Sequence, residues 1–159
     1  MPTWKEVTAA NPAHSHNFAR KWKTLRAQGK DIDGEARLID AMVERNSRVL
    51  DAGCGSGRLG GELVKRGHTV VGVDVDPILI DHAEHDYPEA RWEVGDLSED
   101  DIPEGDFDIA VAAGNVMTFI APEGREAALR NVFDALRPGG RFVVGFGEGR
   151  GWGFEEFLE

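Results

Sequence analysis

Five short strand-like runs alternate with stretches of helical spacing, and this alternation limits the chain to few folds. The runs are residues 48–51, 69–74, 90–94, 107–112 and 141–146. Between them, 59–66, 77–85 and 122–136 place apolar residues three and four apart. Strands separated by helical crossovers pair in parallel, and right-handed crossovers cover both sheet faces. The expected fold class is α/β, a doubly wound, mainly parallel sheet. In the last of these helices Ala128, Leu129, Val132, Phe133 and Leu136 are expected to face inward.

Two helical segments precede the first strand. The first, 15–29, carries Phe18, Trp22 and Leu25 on one face and Arg20, Lys21, Lys23 and Arg26 on the other. The second starts after Asp33, a good N-cap, with Leu38, Ile39, Met42 and Val43 as its apolar stripe. Residues 1–32 therefore read as a helical cap and 33–159 as the principal unit of a single domain. Asp76-Pro77 is a cap followed by proline at the first helical position.

Ligands of open parallel sheets lie beyond the C-terminal strand ends. There the first strand runs into Asp51-Ala52-Gly53-Cys54-Gly55-Ser56-Gly57, and the second ends at Asp74. Alternate glycines let the backbone turn tightly and approach a ligand. The helix that follows points free N–H groups at it. Asp74 can accept both hydroxyls of a ribose. Gly55 to Gly60 also fits G-x-G-x-x-G, with Asp74 at dinucleotide spacing, so an NAD-dependent oxidoreductase is one alternative. Asp51 argues against it, because a carboxylate beside the turn repels phosphate and welcomes a cation.

The run from Val49 to Gly57 resembles the first motif of class I (Rossmann-like) S-adenosylmethionine-dependent methyltransferases. Val70 to Pro77 resembles the acidic second motif, Gly95-Asp96-Leu97 the adenine loop, Phe107 to Val111 the fourth strand, and Leu136 to Phe142 the turn into the fifth. The resemblance spans about residues 36 to 147 and implies the central strand order 3-2-1-4-5 with two helices before it. It implies that Gly53, Gly55 and Gly57 wrap the methionyl part of S-adenosylmethionine and that Asp51 orients its ammonium. Asp74 is then the ribose ligand, and Asp96 accepts from the adenine amino group with Leu97 beside the ring. Ala113, Gly114 and Asn115 lie near the reactive methyl. Cys54 and Val75 complete the cofactor set, with Cys54 a small packing residue of the turn. His14, His16, Phe18 and Trp22 can reach an acceptor pocket or merely pack, and Arg37 can meet the ligand carboxylate or stay at the surface. No general base is named and no metal is expected.

The implied reaction is transfer of the sulfonium methyl to a small molecule, leaving S-adenosylhomocysteine; a non-catalytic S-adenosylmethionine-binding protein is the other alternative. Ala113-Gly114-Asn115-Val116 departs from the Asn/Asp-Pro-Pro-Tyr pattern of enzymes that methylate amino groups of bases or glutamine. With 18 Lys+Arg against 29 Asp+Glu the net charge is −11, which disfavours a nucleic-acid partner. No apolar run reaches membrane-span length, no signal peptide is evident, and the single cysteine, Cys54, excludes an intrachain disulfide. A cytoplasmic protein is expected. The family usually continues past the fifth strand with a helix and two more strands. Without them, residues 142–146 are expected to form an exposed apolar edge, as in a shortened chain or one covered by a homodimer.

Overall fold

The computed structural model describes residues 1–159. Its sheet contains β1 (Arg48–Ala52), β2 (Thr69–Asp74), β3 (Arg91–Val94), β4 (Phe107–Ala112) and β5 (Leu136–Val144). The order is β3-β2-β1-β4-β5, with every pair parallel. The central strands are apolar on both faces because both are covered, as crossover helices require. Leu50, Val71, Ala110 and Ala112 join one core with Met117, Ala128 and Val132. Val49, Val70, Ile109 and Val111 join the other with Ala36, Ile39, Leu63 and Trp92.

Three helices, not two, precede the sheet: α1 (Trp4–Ala10), α2 (His14–Ala27) and α3 (Gly34–Met42). The Thr3 hydroxyl accepts from the Glu6 backbone N–H while the Glu6 carboxylate accepts from the Thr3 backbone N–H. This capping box is legible as T-x-x-E, and the helix it starts is too short to show apolar periodicity. Asp33 stands at the start of α3, but its carboxylate makes no cap hydrogen bond; it accepts from Arg26 at 3.0 and 3.1 Å.

The crossovers are α4 (Arg58–Lys65), α5 (Pro77–Asp86) and α6 (Arg125–Ala135), the last entered through a 3-10 turn at Pro122–Gly124. Asp76 caps α5 by accepting from Ile78 and Leu79 N–H. Two inward assignments are corrected. Phe133 is 72% exposed and Leu38 54% exposed. Helical spacing marks a stripe, but the width of the surface the stripe meets decides which flanking residues are covered.

The fifth strand begins at Leu136, earlier than its apolar run. A parallel ladder needs backbone partners, not apolar side chains, and Phe107 pairs with Leu136 across a register shift. β5 is an edge strand of the sheet, and its Phe142, Val143 and Val144 are half-buried. The chain then folds back: α7 (Phe154–Leu158) and buried Trp152 pack on Phe146, with ring centroids 5.1 to 6.3 Å away. Arg125 holds this return by donating to Gly151 O at 2.8 Å and pairing with Glu156 at 3.3 Å. No helix is long and apolar enough to cross a membrane.

Candidate functional site

At the C-terminal ends of β1, β2 and β4 lies a cavity of about 720 Å³. The loop after β1 forms its floor. Gly53 and Cys54 N–H both donate to Val73 O, at 2.7 and 3.0 Å, which ties the loop to the end of β2. Gly53 adopts φ 74°, and a Cβ there would lie 2.3 Å from a Val116 methyl. Its lack of a side chain therefore lets the loop after β4 close on the loop after β1.

Eleven of the twelve expected cofactor residues line this cavity: Asp51, Gly53, Cys54, Gly55, Asp74, Val75, Asp96, Leu97, Ala113, Gly114 and Asn115. Gly57 lies outside its wall. It is buried at the start of α4 with φ 86°, where a Cβ would meet Ala83, Tyr87 and Trp92 at 3.1 Å. Its place is in the packing of α4 against α5 and β3. Cys54 is buried, and that burial pushes its thiol pKa well up, as suits a packing residue.

Two carboxylates, Asp51 buried and Asp74 half-buried, dominate the electrostatics. Asp51 is 3% exposed, and one oxygen accepts from Gly60 N–H at 2.9 Å. Its other oxygen has no protein hydrogen bond. Burial raises its pKa to about 7, opposed by the Gly60 bond and the charge of Arg58. Asp74 accepts from Gly55 N–H on one oxygen and Asp76 N–H on the other, each at 2.9 Å. Burial lifts its pKa to about 6 against those two bonds. Two carboxylates held out of water at one end of a cavity favour a cationic or hydrogen-bond-donating ligand. They disfavour a pyrophosphate.

Asp96 stands at the opposite end of this floor. Its Oδ2 pairs with Lys5 Nζ at 2.9 Å, and its Oδ1 accepts from Ser98 N–H and Oγ. Burial pushes the Asp96 pKa up, but Lys5 and Ser98 outweigh it and hold the group below the ordinary value.

Helices α1 and α2 roof the cavity. Trp4 Nε1 donates to Asp76 Oδ2 at 2.8 Å, and the Ser15 hydroxyl donates to the same oxygen. Phe18 lies 3.4 Å from where a Gly55 Cβ would stand. Trp4 packs edge-on to Phe18 and Phe119 at 5.4 Å. His14, Phe18 and Trp22 all line the cavity. His16 does not; its Nδ1 lies 3.0 Å from His82 Nε2. The first 30 residues carry six Lys/Arg and one Glu, so a basic roof sits on an acidic body. Lys23 pairs with Asp86 at 3.1 Å across that seam.

Arg37 is turned away and pairs with Asp31 at 2.6 Å. Arg58, which the sequence reading passed over inside the glycine pattern, enters the cavity instead. It pairs with Glu35 at 2.7 Å, donates to Ile32 O, and lies 4.3 Å from the Trp22 ring centroid. Trp4, Lys5, Phe119 and Arg150 also line the cavity without having been singled out. Of these only Lys5 and Trp4 had a local signal, the capping box around them.

A family model described as a methyltransferase domain matches residues 49–140. A TehB-like SAM-dependent methyltransferase of Corynebacterium glutamicum ATCC 13032 is 63% identical and superimposes with a TM-score of 0.90 over 93% of this chain and 80% of that one. The amino pentose methyltransferase CalS10 of Micromonospora echinaspora, solved with SAM bound, is 26% identical with a TM-score of 0.67, over 78% of this chain and 54% of that one. The magnesium-protoporphyrin O-methyltransferase of Rhodobacter capsulatus is 40% identical over 128 residues, 76% of this chain and 53% of that protein. The ribosomal protein L11 methyltransferase of Ralstonia nicotianae is 36% identical over 107 residues, 67% of this chain and 34% of that protein. This chain spans about half the length of the first curated relatives it matches.

Proposed function

This chain belongs to the S-adenosylmethionine-dependent methyltransferases, and from that premise we propose that its cavity binds S-adenosylmethionine and directs the sulfonium methyl to a small-molecule acceptor. Asp51 carries the reading. One of its oxygens is fixed by Gly60 N–H and the other is left to a ligand, in a cavity whose buried acids suit a cation. An α-ammonium fits that oxygen. Arg58, on the same wall, is the cation for the ligand's carboxylate. Asp74 keeps lone pairs for two ribose hydroxyls because its backbone partners occupy only one per oxygen. Asp96 receives an adenine amino group in exchange for Lys5, an exposed ion pair that is cheap to break.

The cofactor supplies a methyl on a positively charged sulfur, already an excellent leaving group. The chain's share of the work is alignment and exclusion of water. Trp4, Phe18 and Phe119 close the roof, and the loop Ala113-Gly114-Asn115 bounds the acceptor end. Correct alignment alone removes roughly 7–11 kcal/mol of barrier. No side chain is assigned as a general base; an acceptor with a free lone pair needs none.

A small acceptor suits a roofed cavity of about 720 Å³ that must also hold the cofactor. A net charge of −11 disfavours nucleic acid. One of the similar proteins is named for a porphyrin acceptor and another for a ribosomal protein. The cytoplasm is the compartment that a lone free cysteine fits. Calorimetric titration with S-adenosylhomocysteine, with NADH as control, tests the reading. Micromolar binding of the first alone is expected; binding of NADH alone overturns it.

A further inference from the structure

The loop after β4 presents one polar side chain to the acceptor end, and the fold fixes which of its atoms is offered. Asn115 sits in the left-handed region at φ 67°. Its backbone N–H donates to Gly145 O at 3.2 Å, and its carbonyl accepts from Thr118 N–H and Oγ1 at 3.0 and 2.7 Å. Its side-chain Oδ1 accepts from Gly147 N–H at 2.7 Å. An amide cannot turn over there, since its NH₂ would then face another N–H. The Nδ2 group makes no protein hydrogen bond, and Asn115 stands between this cavity and a smaller one lined by Val143 and Phe146. Asn115 therefore offers two unengaged donors, while its oxygen already holds one bond and keeps a single lone pair.

A second donor lies on the same side of Gly147. A point one Cβ bond from Gly147 lies 3.7 Å from Asn115 Oδ1 and 3.8 Å from Arg150 Nε. Arg150 lines the same cavity and forms no ion pair. The other cavity acids are accounted for in part: Asp51 and Asp74 lie on the floor and Asp96 is tied to Lys5. Glu99 and Glu123 also reach the wall, without ion-pair partners. Trp4, Phe18, Trp22 and Phe119 supply the apolar surface for a flat or hydrocarbon body.

We propose that Asn115 Nδ2 and the Arg150 guanidinium form a donor pair that selects acceptors bearing an oxyanionic group, a carboxylate being the simplest, and rejects amines. The proposal rests on the reading of the cavity as a cofactor and acceptor site. An amine brings N–H donors of its own and finds on Asn115 only the spare lone pair of an oxygen already bonded to Gly147. A carboxylate accepts from both groups, and a planar guanidinium suits it.

The test titrates protein saturated with S-adenosylhomocysteine with benzoate and with benzylamine, rings of one size with opposite head groups, followed by NMR chemical shifts. Benzoate is expected to bind at least tenfold tighter. Asn115→Asp keeps an oxygen for Gly147 N–H and replaces the NH₂ by a second oxygen; it is expected to cut the preference about tenfold or more. Arg150→Gln is expected to reduce it too. S-adenosylhomocysteine affinity is measured on each sample, so loss of the cofactor site is read separately. Equal binding of the two probes by the unmodified protein, or a preference unchanged in folded Asn115→Asp, overturns the proposal. If S-adenosylhomocysteine itself does not bind, the cofactor reading fails, and the same two probes applied to the ligand-free protein decide the donor pair alone.

Discussion

Replacing Asp51 with Asn should make the free protein more stable and the cofactor weaker-binding at once. Burial is the main reason the folded-state pKa of Asp51 stands at about 7 against an ordinary 3.8. A carboxylate whose pKa is raised by folding binds more protons folded than unfolded between those values, so its contribution to stability falls as pH rises from about 4 to 7. Above pH 7 the full penalty is present, on the order of 4 kcal/mol. Asp51 is 3% exposed, so solvent screens little of it. Asn cannot ionise, and its carbonyl still accepts from Gly60 N–H. The gain in stability should therefore widen between pH 5 and pH 8 by roughly 2.5 kcal/mol, the difference between the two titration integrals. For a domain of this size that is about 5–10 °C in Tm. Thermal or urea unfolding of both proteins at several pH values measures it. In the same variant the ligand's ammonium loses a charged partner, about 1.5–3 kcal/mol of S-adenosylhomocysteine affinity. Opposite signs for stability and binding are not what a misfolded variant gives. A stability gain of equal size at pH 5 and pH 8 would refute the buried-charge argument.

Three further outcomes follow from the same geometry. S-adenosylhomocysteine affinity should peak at about pH 8, where Asp51 is ionised and the ligand's ammonium still largely protonated, and fall by up to about tenfold per unit below pH 7, because Asp51 must lose its proton to receive an ammonium; calorimetry in buffers of different ionisation enthalpy would show proton release near pH 6, and its absence would sink the assignment. Asp74→Ala should cost about 1.5–3 kcal/mol of that affinity by removing charge-assisted ribose contacts, and unchanged affinity in a folded protein would withdraw the ribose role. Gly72→Ala should lose about 1–3 kcal/mol of stability, since a Cβ on β2 would lie 2.3 Å from the Trp92 ring and 3.0 Å from Cys54 Cβ; denaturant midpoints compare it with the parent, and an unchanged midpoint would mean that the ring has room to move.

The residues themselves determined the sheet and most of the cofactor floor. The middle of β2 appears as an apolar run because a parallel sheet buries both faces of its inner strands. Asp51, Gly53, Gly55 and Asp74 are legible because each sits within three residues of a strand end, where chain position translates directly into place in the site. Partnership across the chain was decided by the tertiary structure. Both Arg37 and Arg58 are arginines beside good motifs, and only packing sends one to Asp31 and the other to Trp22 and the cavity. Phe133 obeys helical spacing and is exposed, because the apolar stripe of α6 is wider than the surface it meets. The acidity of Asp51 depends on how thoroughly other segments exclude water, and the polarity of Asn115 on a single N–H that arrives from 32 residues away. Periodicity and turn chemistry act over a few residues and survive in the sequence; desolvation and hydrogen-bond direction exist only once distant segments have met.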